Sequence, residues 1–271
     1  MFKEELSDQL YQKFALLLFE RSGIHLKEHK KYLVYHRLYR FIGEEKNFRN
    51  FQELYEYLKE NPNSQAMKDF VDRLTTNYSY FFRDPLHFQF LTHYLREKSR
   101  SQEYLRFWSA AASTGEEAYS MAMTLLENSD ICSKKDVKIL GTDISNDVLA
   151  KALQGIYPRD KAKEYIPQPL MHKYLHPVSG GSFYSMNESL KKLILFRHLN
   201  LLGSYPFQKQ FDIVFLRNVL IYFNNQEKEK VINKIFHYLK PQGYLIIGLS
   251  ETLVGINHPL KNLKFSIYKK D

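Results

Sequence analysis

Apolar side chains recur with helical spacing over the first 90 residues of the chain. Side chains three or four positions apart lie on one face of a helix, so this spacing indicates helices with one buried side. Two such faces are Leu10, Phe14, Leu17 and Leu18, and Phe51, Leu54, Tyr55 and Leu58. Asn61-Pro62-Asn63 follows the second face and is typical of the end of a helix. We therefore predict a small all-α N-terminal domain, with its linker, over residues 1–90.

After about residue 104 the pattern changes to short apolar runs separated by helical periods. The runs cover residues 105–110, 137–142, 193–199, 213–216, 244–249 and 263–268, and helical spacing covers residues 148–153 and 226–239. This alternation is typical of βαβ units, which place strands side by side in a mostly parallel sheet. The segment Lys240-Pro241-Gln242-Gly243 predicts a turn before the fifth run. We predict an α/β domain over residues 91–271.

The alternation of strands and helices fails between residues 155 and 192. Within this segment, Ser179-Gly180-Gly181 stands between apolar residues, and this predicts a β-hairpin over residues 178–184. A hairpin at this place indicates a small subdomain within the α/β domain. We predict a β-subdomain insert at about residues 156–192.

The chain is basic. Its 271 residues include 39 basic and 30 acidic side chains, which gives a formal net charge of +9 and a pI near 9.3. This charge favours an acidic partner, and nucleic acid, anionic lipid and acidic protein all qualify. The charge is concentrated in residues 21–50, where eight basic side chains outnumber three acidic ones. A binding surface and a solvated helix face both stay open for this stretch, because its basic residues overlap the apolar arc of the same helix.

Three features of the sequence bear on where the protein functions. No apolar run approaches the roughly 18 residues of a membrane-spanning helix. The N-terminal sequence MFKEELSDQLYQKF alternates charged and apolar residues, unlike a secretory signal peptide. The single cysteine, Cys132, excludes an internal disulfide bond. We therefore expect a cytoplasmic protein without stable membrane insertion.

Ligands bind at the carboxyl ends of strands in open α/β sheets, so the residues after each apolar run are candidate site residues. The first run is followed by small residues from Ser109 to Gly115 and then by a helix. This arrangement suits close approach of the backbone to a nucleotide-like ligand. The second run leads to Asp143, at a position where a carboxylate commonly accepts hydrogen bonds from ribose hydroxyls. An N-cap role is equally consistent with the place of Asp143 before a helix.

Several well-defined active-site motifs are absent from the sequence. There is no Gly-x-Gly-x-x-Gly, no Gly-x-x-x-x-Gly-Lys, no His-Glu-x-x-His and no Gly-x-Ser-x-Gly. These absences disfavour dinucleotide binding, nucleotide hydrolysis, zinc proteolysis and common serine esterase chemistry.

Three segments of the chain are more specific than these general patterns. They are TTNYSYFFRD at 75–84, FWSAAASTGEEAYS at 107–120 and FLRNVLIYF at 215–223. These segments closely resemble the signature segments of the chemotaxis receptor methyltransferases, the CheR family. The resemblance continues in family order through GTDI at 141–144, GIY at 155–157, NLL at 200–202 and LKPQG at 239–243, and so covers essentially the whole chain.

The resemblance implies a Rossmann-like class I S-adenosylmethionine methyltransferase domain, with a mostly parallel sheet and a final antiparallel strand. It also implies a small all-α N-terminal domain and a β-subdomain insert. The implied reaction is transfer of a methyl group from S-adenosylmethionine to glutamate side chains on the helical bundle of chemoreceptors. Neither a metal ion nor a general base is expected, because an ionised glutamate is already a nucleophile.

The resemblance also assigns site residues by position. The implied cofactor-binding residues are Asn77, Ser79, Arg83, Glu117, Asp143, Asn200, Leu201, Arg217 and Asn218. Asp143 is expected to hold the ribose hydroxyls, and Glu117 either pairs with the amino group of the cofactor or caps a helix. Arg83 and Tyr222 are the expected catalytic residues, the first to orient a carboxylate and the second to contact the incoming glutamate. The alternatives are a surface ion pair of Arg83 with Asp84 and a core position for Tyr222.

The resemblance gives the basic stretch a purpose, since it implies that the N-terminal helical domain docks on acidic receptor helices. The expected docking residues are Lys27, Lys30, Lys31, Arg37 and Arg40. The segment between residues 174 and 190 is short for a subdomain that holds the C-terminal pentapeptide tether of a receptor. We therefore expect a tether-independent enzyme and, from the resemblance, a monomer.

Two rival functions differ in kind from this one. The first is a methyltransferase of the same fold that acts on nucleic acid or on another protein. The Asn-Pro-Pro-Tyr loop of amino-methylating enzymes is replaced here by Arg217-Asn218-Val219-Leu220, which argues against a nucleic acid substrate. The second is a signalling module that binds cofactor or receptor without turnover, and the intact set of loop residues argues against it.

Overall fold

The computed structural model describes residues 5–44, 46–98, 104–128, 130 and 136–271, and Cys132 lies outside them. The N-terminal part of the described chain is helical. Its helices are α1 (Asp8–Ser22), α2 (Lys31–Leu38), α3 (Phe51–Glu60), α4 (Gln65–Leu74) and α5 (Pro85–Lys98). The apolar faces predicted from the sequence are buried in this part, with Phe14, Leu18, Leu54 and Leu58 fully inaccessible to solvent. The predicted all-α N-terminal region is confirmed.

Local signals set the ends of these helices. The Ser7 hydroxyl accepts a hydrogen bond from the backbone amide of Leu10 at 3.2 Å and so caps the start of α1. The helix ends at Gly23, whose φ of 75° is in the left-handed region. A Cβ atom at Gly23 would lie 2.1 Å from Cδ1 of Leu202. Only glycine therefore lets α1 end against the loop that carries Leu202.

Strands and helices alternate after α5. In chain order these elements are β1 (Tyr104–Ser109), α6 (Glu116–Glu127), β2 (Asp136–Asp143), α7 (Asn146–Gln154), β3 (Ile156–Pro158), α8 (Arg159–Tyr165), α9 (Gln168–Tyr174), β4 (Leu175–Val178), β5 (Phe183–Met186), α10 (Glu188–Lys191), β6 (Ile194–His198), β7 (Phe211–Leu216), α11 (Asn225–Tyr238), β8 (Leu239–Ile247), β9 (Lys261–Asn262) and β10 (Ile267–Lys269).

Seven of these strands form the main sheet, in the order β6-β2-β1-β7-β8-β10-β9. The first five strands in this order are parallel to one another, and β10 runs antiparallel to both β8 and β9. Adjacent side chains of β1 pack on opposite faces of the sheet. Phe107 belongs to the core that contains Met121 of α6, and Trp108 belongs to the core that contains Ile232 of α11. The structure confirms the predicted mostly parallel sheet with antiparallel strands at its end.

The register of the central strands fixes where the site forms. Ser109, the last residue of β1, lies beside Gly141 of β2 and Phe215 of β7. Because these three strands are parallel, the residues that follow each of them meet at one edge of the sheet.

A second, smaller sheet lies in the chain between α7 and β6. Its three strands are antiparallel in the order β3-β5-β4. The hairpin predicted at residues 178–184 is formed by β4 and β5, and its turn contains Gly180 with a φ of 65°.

Two segments near the C-terminus differ from the sequence prediction. Residues 240–243 are not a separate turn but part of β8, which carries an irregularity opposite residues Phe211 and Ile213 of β7. The run at 263–268 is not one strand, since only Ile267–Lys269 pairs as β10. Phe265 and Ser266 both have a φ of 58°. A left-handed backbone cannot continue a strand, so the apolar run is interrupted there.

In the described part of the chain, the helices are all too short or too polar to cross a lipid bilayer.

Candidate active site

A cavity of about 520 Å³ lies at the carboxyl edge of the main sheet. One wall consists of the loops after β1, β2, β6 and β7, and the other consists of residues 22–33 and 74–83. The cavity lining includes all ten residues that the sequence analysis assigned to cofactor binding or catalysis, namely Asn77, Ser79, Arg83, Glu117, Asp143, Asn200, Leu201, Arg217, Asn218 and Tyr222. The fold thus brings together residues that are up to 145 positions apart in the sequence (222 − 77).

The loop after β1 brings its backbone close to the cavity. Ala110, Ala111 and Ser113 contribute to the lining, and their small side chains leave room for a ligand. Gly115 ends the loop with a φ of 95°. A Cβ atom at Gly115 would lie 2.9 Å from both the Cβ of Ala152 and the hydroxyl of Tyr157. Glycine is therefore required at this position by conformation and by space.

The carboxylate of Asp143 is buried at the end of β2 and is held by backbone amides. Its Oδ2 accepts from the amide of Ser113 at 2.8 Å, and its Oδ1 accepts from the amide of Ser145 at 3.0 Å. Burial raises the pKa of Asp143, and these two amides oppose that rise. Each carboxylate oxygen has a further lone pair, so the group can still accept hydrogen bonds from two hydroxyls.

The N-cap alternative for Asp143 is not what the structure shows. The residue that caps α7 is Ser145, whose hydroxyl accepts from the amide of Val148 at 3.4 Å. A second carboxylate comes to the same helix from the N-terminal part, because Oδ1 of Asp72 accepts from the amide of Asn146 at 2.9 Å. Asp72 was not predictable from the sequence, because no local pattern marks it and its partner lies 74 positions away.

Arg217 joins three parts of the site. Its guanidinium is 2 % exposed and donates to Oε2 of Glu117 at 2.9 Å, to Oδ2 of Asp84 at 2.7 Å and to the backbone carbonyl of Arg83. Glu117 also accepts from the hydroxyl of Ser109 at 2.6 Å through Oε1. Burial alone raises the pKa of Asp84, but the hydrogen bond and the charge of Arg217 outweigh it and lower that pKa below its usual range.

This network excludes two alternative roles that the sequence left open for Glu117 and Arg83. Glu117 does not cap α6, because the N-cap position is occupied by Gly115 and the carboxylate is bound to Ser109 and Arg217. Asp84 pairs with Arg217 and not with its neighbour Arg83. The place of Asp84 in this network was not predicted from the sequence, since Arg217 lies 133 positions away.

The guanidinium of Arg83 faces the cavity with few partners. It lies 5.4 Å from the ring centroid of Tyr80 and 3.5 Å from the carbonyl oxygen of Tyr78. Within the described residues, no carboxylate forms an ion pair with it. Arg83 can therefore make bidentate hydrogen bonds with a carboxylate that enters the cavity.

Tyr222 lies in a short 3₁₀ turn, Leu220–Tyr222, after β7. Its side chain is half-buried, and its hydroxyl donates a long hydrogen bond of 3.4 Å to the carbonyl of Thr76. Burial raises the pKa of this hydroxyl, so it stays a proton donor at neutral pH. The carbonyl of Tyr222 accepts from the amide of His25 at 3.1 Å, which ties the turn to the N-terminal part.

The loop after β6 is also tied to the N-terminal part. The amide nitrogen of the Asn200 side chain donates to the carbonyl of Arg21 at 2.9 Å. The side-chain oxygen of Asn200 accepts from the backbone amide of Leu202 at 2.9 Å. Lys234 of α11, which the sequence analysis did not single out, donates to the carbonyls of Leu202 and Gly203. These contacts hold Asn200 and Leu201 at the cavity wall.

The five expected docking residues occupy different environments. Lys27 and Lys30 are exposed and line the cavity, and Arg40 is exposed away from it. Lys31 forms an ion pair with Asp8 at 2.5 Å. Arg37 donates to the carbonyls of Leu74 and Thr75 at 3.1 and 2.9 Å, which ties α2 to the segment between α4 and α5.

A metal centre has no support in the part of the chain that the structure describes, where no three His, Cys, Asp or Glu side chains are grouped as metal ligands.

The sequence matches two models of one protein family. Residues 9–75 match "CheR methyltransferase, all-alpha domain", and residues 77–269 match "CheR methyltransferase, SAM binding domain". The boundary between the two matches falls next to Asn77, at the start of the segment that lines the cavity.

Related proteins match over most of their length. The chemotaxis protein methyltransferase of Borreliella burgdorferi strain B31 is 39% identical over 279 residues, which covers 99% of this chain and 95% of that protein. The corresponding protein of Escherichia coli K12 is 37% identical over 250 residues, covering 91% and 85%. Chemotaxis protein methyltransferase 2 of Pseudomonas aeruginosa PAO1 is 35% identical over 261 residues, covering 95% and 91%. The helical N-terminal part, the parallel sheet and these matches lead to one conclusion: the chain is an S-adenosylmethionine-dependent methyltransferase that belongs to the CheR family.

Proposed function

We propose that this chain transfers the methyl group of S-adenosylmethionine to glutamate side chains of chemoreceptor cytoplasmic helices, forming glutamate methyl esters. The observation that carries this proposal is the cavity, in which Arg83 faces the interior without a carboxylate partner among the described residues. A guanidinium that has no carboxylate partner among the described residues, beside a methyl-donor site, suits an anionic acceptor group. Membership of the family supports the chemoreceptor as the substrate.

The cavity residues fit S-adenosylmethionine. The buried Asp143 carboxylate has lone pairs left for two ribose hydroxyls, and the small residues after β1 permit close approach of the ligand. Glu117 lines the cavity, and its carboxylate oxygens, which accept from Ser109 and Arg217, have lone pairs left for the cationic amino group of the methionine part. Asn200 and Leu201 after β6, with Arg217 and Asn218 after β7, frame the remaining sides. We assign the nine predicted cofactor residues to this role.

Bound S-adenosylmethionine would supply an electrophilic methyl group: as a carboxylate oxygen bonds in line to the methyl carbon, the carbon–sulfur bond breaks, the sulfur keeps the electron pair and leaves as S-adenosylhomocysteine, and no general base is needed. The task of the protein is to align the reacting atoms and to exclude water. Arg83 is placed to orient the incoming carboxylate by two parallel hydrogen bonds. The Tyr222 hydroxyl, whose contact with Thr76 is long, is free to turn towards the same carboxylate and to define the position of the attacking oxygen. Both residues act in catalysis in this proposal.

The basic residues near the cavity support a docking role for the N-terminal part, residues 1–90. Lys27 and Lys30 line the cavity and are exposed, so an acidic helix that presents its glutamate to the cavity also meets their charges. We include Lys31, Arg37 and Arg40 in the proposed docking surface, although Arg37 also holds the carbonyls of residues 74 and 75. We further propose that the protein acts in the cytoplasm, as a monomer and without a receptor tether.

The test is transfer of radiolabelled methyl from S-adenosylmethionine to a purified receptor cytoplasmic fragment, with duplex DNA and RNA as competing acceptors. The expected result is label on the receptor alone, with transfer that weakens as salt rises because exposed charges guide docking. Label on nucleic acid would replace this proposal by the first rival function. Tight binding of S-adenosylmethionine without transfer to any receptor fragment would favour the second.

A further inference from the structure

Glu251 is a buried carboxylate at the edge of the active-site cavity to which no role has been assigned above. It lies in the segment after β8 and is 8% exposed. Its Oε2 accepts two backbone hydrogen bonds of 2.8 Å, from the amide of Gly248 and from the amide of Asn218. One oxygen atom therefore joins the chain after β8 to the chain after β7, at the edge where the cavity lies.

The backbone at Asn218 and at Gly248 approaches this carboxylate closely. Asn218 has a φ of 57°, in the left-handed region that Asn adopts more readily than most other residues and that the hydrogen bond from its amide to Glu251 helps to fix. A Cβ atom at Gly248 would lie 2.7 Å from the side-chain nitrogen of Asn218 and 2.9 Å from Oε2 of Glu251. The close approach of these three residues thus requires glycine at position 248.

The same carboxylate faces the turn that carries Tyr222. Burial raises the pKa of Glu251, and the nearby backbone amides of Gly248, Asn218, Leu220 and Ile221 oppose that rise. The charge of Glu251 in turn contributes to raising the pKa of the Tyr222 hydroxyl, so the two side chains lie close together. Its Oε1 is buried and accepts no hydrogen bond of good geometry within the described residues. Burying a carboxylate in this way is unfavourable for folding, so its placement beside the cavity indicates a task other than stability.

We propose that Glu251 is a positioning residue for methyl transfer. It fixes the left-handed backbone of Asn218 and, through the turn Leu220–Tyr222, the hydroxyl of Tyr222 relative to the cavity. Asn218 and Tyr222 line the cavity, whereas Glu251 does not and acts only through them. The assignment rests on the proposed roles of those two residues in cofactor binding and catalysis.

The test compares Glu251→Gln and Glu251→Asp with a matched control, Asp212→Asn. Gln keeps the size of the side chain but loses the charge and one of its two acceptor oxygens, and Asp keeps the charge but cannot reach both amides. Asp212 is a buried carboxylate at the other end of β7, bound to Tyr94, Lys240 and the amide of Arg106. Thermal unfolding, calorimetric binding of S-adenosylmethionine and methylation of a receptor fragment are measured for each protein below its unfolding temperature.

For both Glu251 variants we expect the dissociation constant of S-adenosylmethionine to rise at least fivefold and kcat to fall at least tenfold, with the KM for receptor within twofold of wild type. The Asp212→Asn control is expected to unfold at a lower temperature with all three constants unchanged. A merely structural role for Glu251 would give the same pattern as the control, and that result would overturn the proposal. Either Glu251 variant suffices for this decision if the other does not fold.

Calorimetric binding needs no receptor. If the wild-type protein methylates no receptor carboxylate, the proposed function fails, but weaker binding in folded Glu251 variants still supports the positioning role. If the wild-type protein is active and the Glu251 variants have the same affinity and the same kcat as wild type, the positioning role alone is contradicted.

Discussion

Arg217 and Glu117, which are 100 positions apart in the sequence, are joined at the active site by a hydrogen bond of 2.9 Å between Nη1 and Oε2. The same guanidinium binds Asp84 at 2.7 Å. The pair therefore connects the end of β7, the first turn of α6 and the segment before α5. Each of these three places contributes residues to the cavity wall, so Arg217 organises the site as well as lining it.

Replacing Arg217 by Met leaves the Glu117 and Asp84 carboxylates largely buried without their partner. We expect the free energy of unfolding to fall by about 3 kcal/mol, because an uncompensated buried charge is strongly destabilising. Urea denaturation measures this change. Arg197→Met on the exposed face of β6 is the matched control and is expected to change stability by less than about 0.5 kcal/mol. Equal effects of the two variants would show that the network contributes little.

Asp143→Asn tests the cofactor site. The amide group presents a donor where the carboxylate accepts from Ser113 and Ser145, and it also loses the charge that attracts ribose hydroxyls. We expect binding of S-adenosylmethionine to weaken by about 10- to 100-fold, the value of one hydrogen bond to a charged acceptor. Asp147→Asn, an exposed residue in the first turn of α7, controls for loss of charge. Calorimetry that gives equal affinities for wild type and Asp143→Asn would contradict the assignment.

Tyr222→Phe separates catalysis from binding. The variant keeps the ring and loses the hydroxyl, which has only the long contact with Thr76. We expect kcat to fall about tenfold, equivalent to one hydrogen bond of about 1.4 kcal/mol in the transition state, while the affinity for S-adenosylmethionine stays within about twofold. Tyr57→Phe, on the exposed side of α3, is expected to behave as wild type. An unchanged kcat for Tyr222→Phe would leave the residue with a packing role.

His87 predicts how stability depends on pH. It is fully buried near Arg217, and its Nε2 lies 2.9 Å from the carbonyl oxygen of Phe265. Burial, reinforced by the positive charge of Arg217, lowers the pKa of His87 to about 4. The folded protein therefore excludes a proton that the unfolded chain accepts below about pH 6.5.

The contribution of neutral His87 is complete above about pH 6.5 and is lost as the pH falls towards 4, by roughly 3 kcal/mol in total. Denaturation of wild type and His87→Gln between pH 7 and pH 4 measures it, and the variant is expected to lack this loss. The buried carboxyls of Asp143 and Glu251, whose pKa values are raised, change stability in the opposite direction and are common to both proteins. His93→Gln, exposed on the same helix, should retain the wild-type slope. Parallel curves for wild type and His87→Gln would refute the explanation.

The ends of the parallel strands were predictable from the sequence. Asp143 follows one buried strand, and Arg217-Asn218 follow another. Because parallel strands end at the same edge of a sheet, these side chains are expected to lie at that edge. The choice of partner was not predictable, because Arg217 pairs with Asp84 and Glu117 through the tertiary fold and no sequence spacing records that. Glu251 was missed for the same reason, since its partners are backbone amides of two different loops.

Helical periodicity also has a limit in the basic stretch. Arg37 has the same charge and a similar place on the helical wheel as exposed cations, yet it reaches the carbonyls of Leu74 and Thr75. Near the C-terminus, the run at 263–268 has the composition of a strand, but the left-handed backbone at Phe265 and Ser266 divides it. In the first case a tertiary contact sets the environment of the side chain, and in the second the backbone conformation interrupts the strand.

The central claim is that the methyl acceptor is a glutamate carboxylate, and alkaline treatment of labelled receptor tests it most directly. Carboxyl methyl esters release methanol in base, whereas methylated amines and bases keep their label. Radiolabelled methyl transferred by the wild-type protein is predicted to leave the receptor as volatile methanol. With Asp143→Asn, no label is predicted at concentrations of S-adenosylmethionine too low to occupy the variant. Label that stays on the receptor after treatment with base would contradict the account.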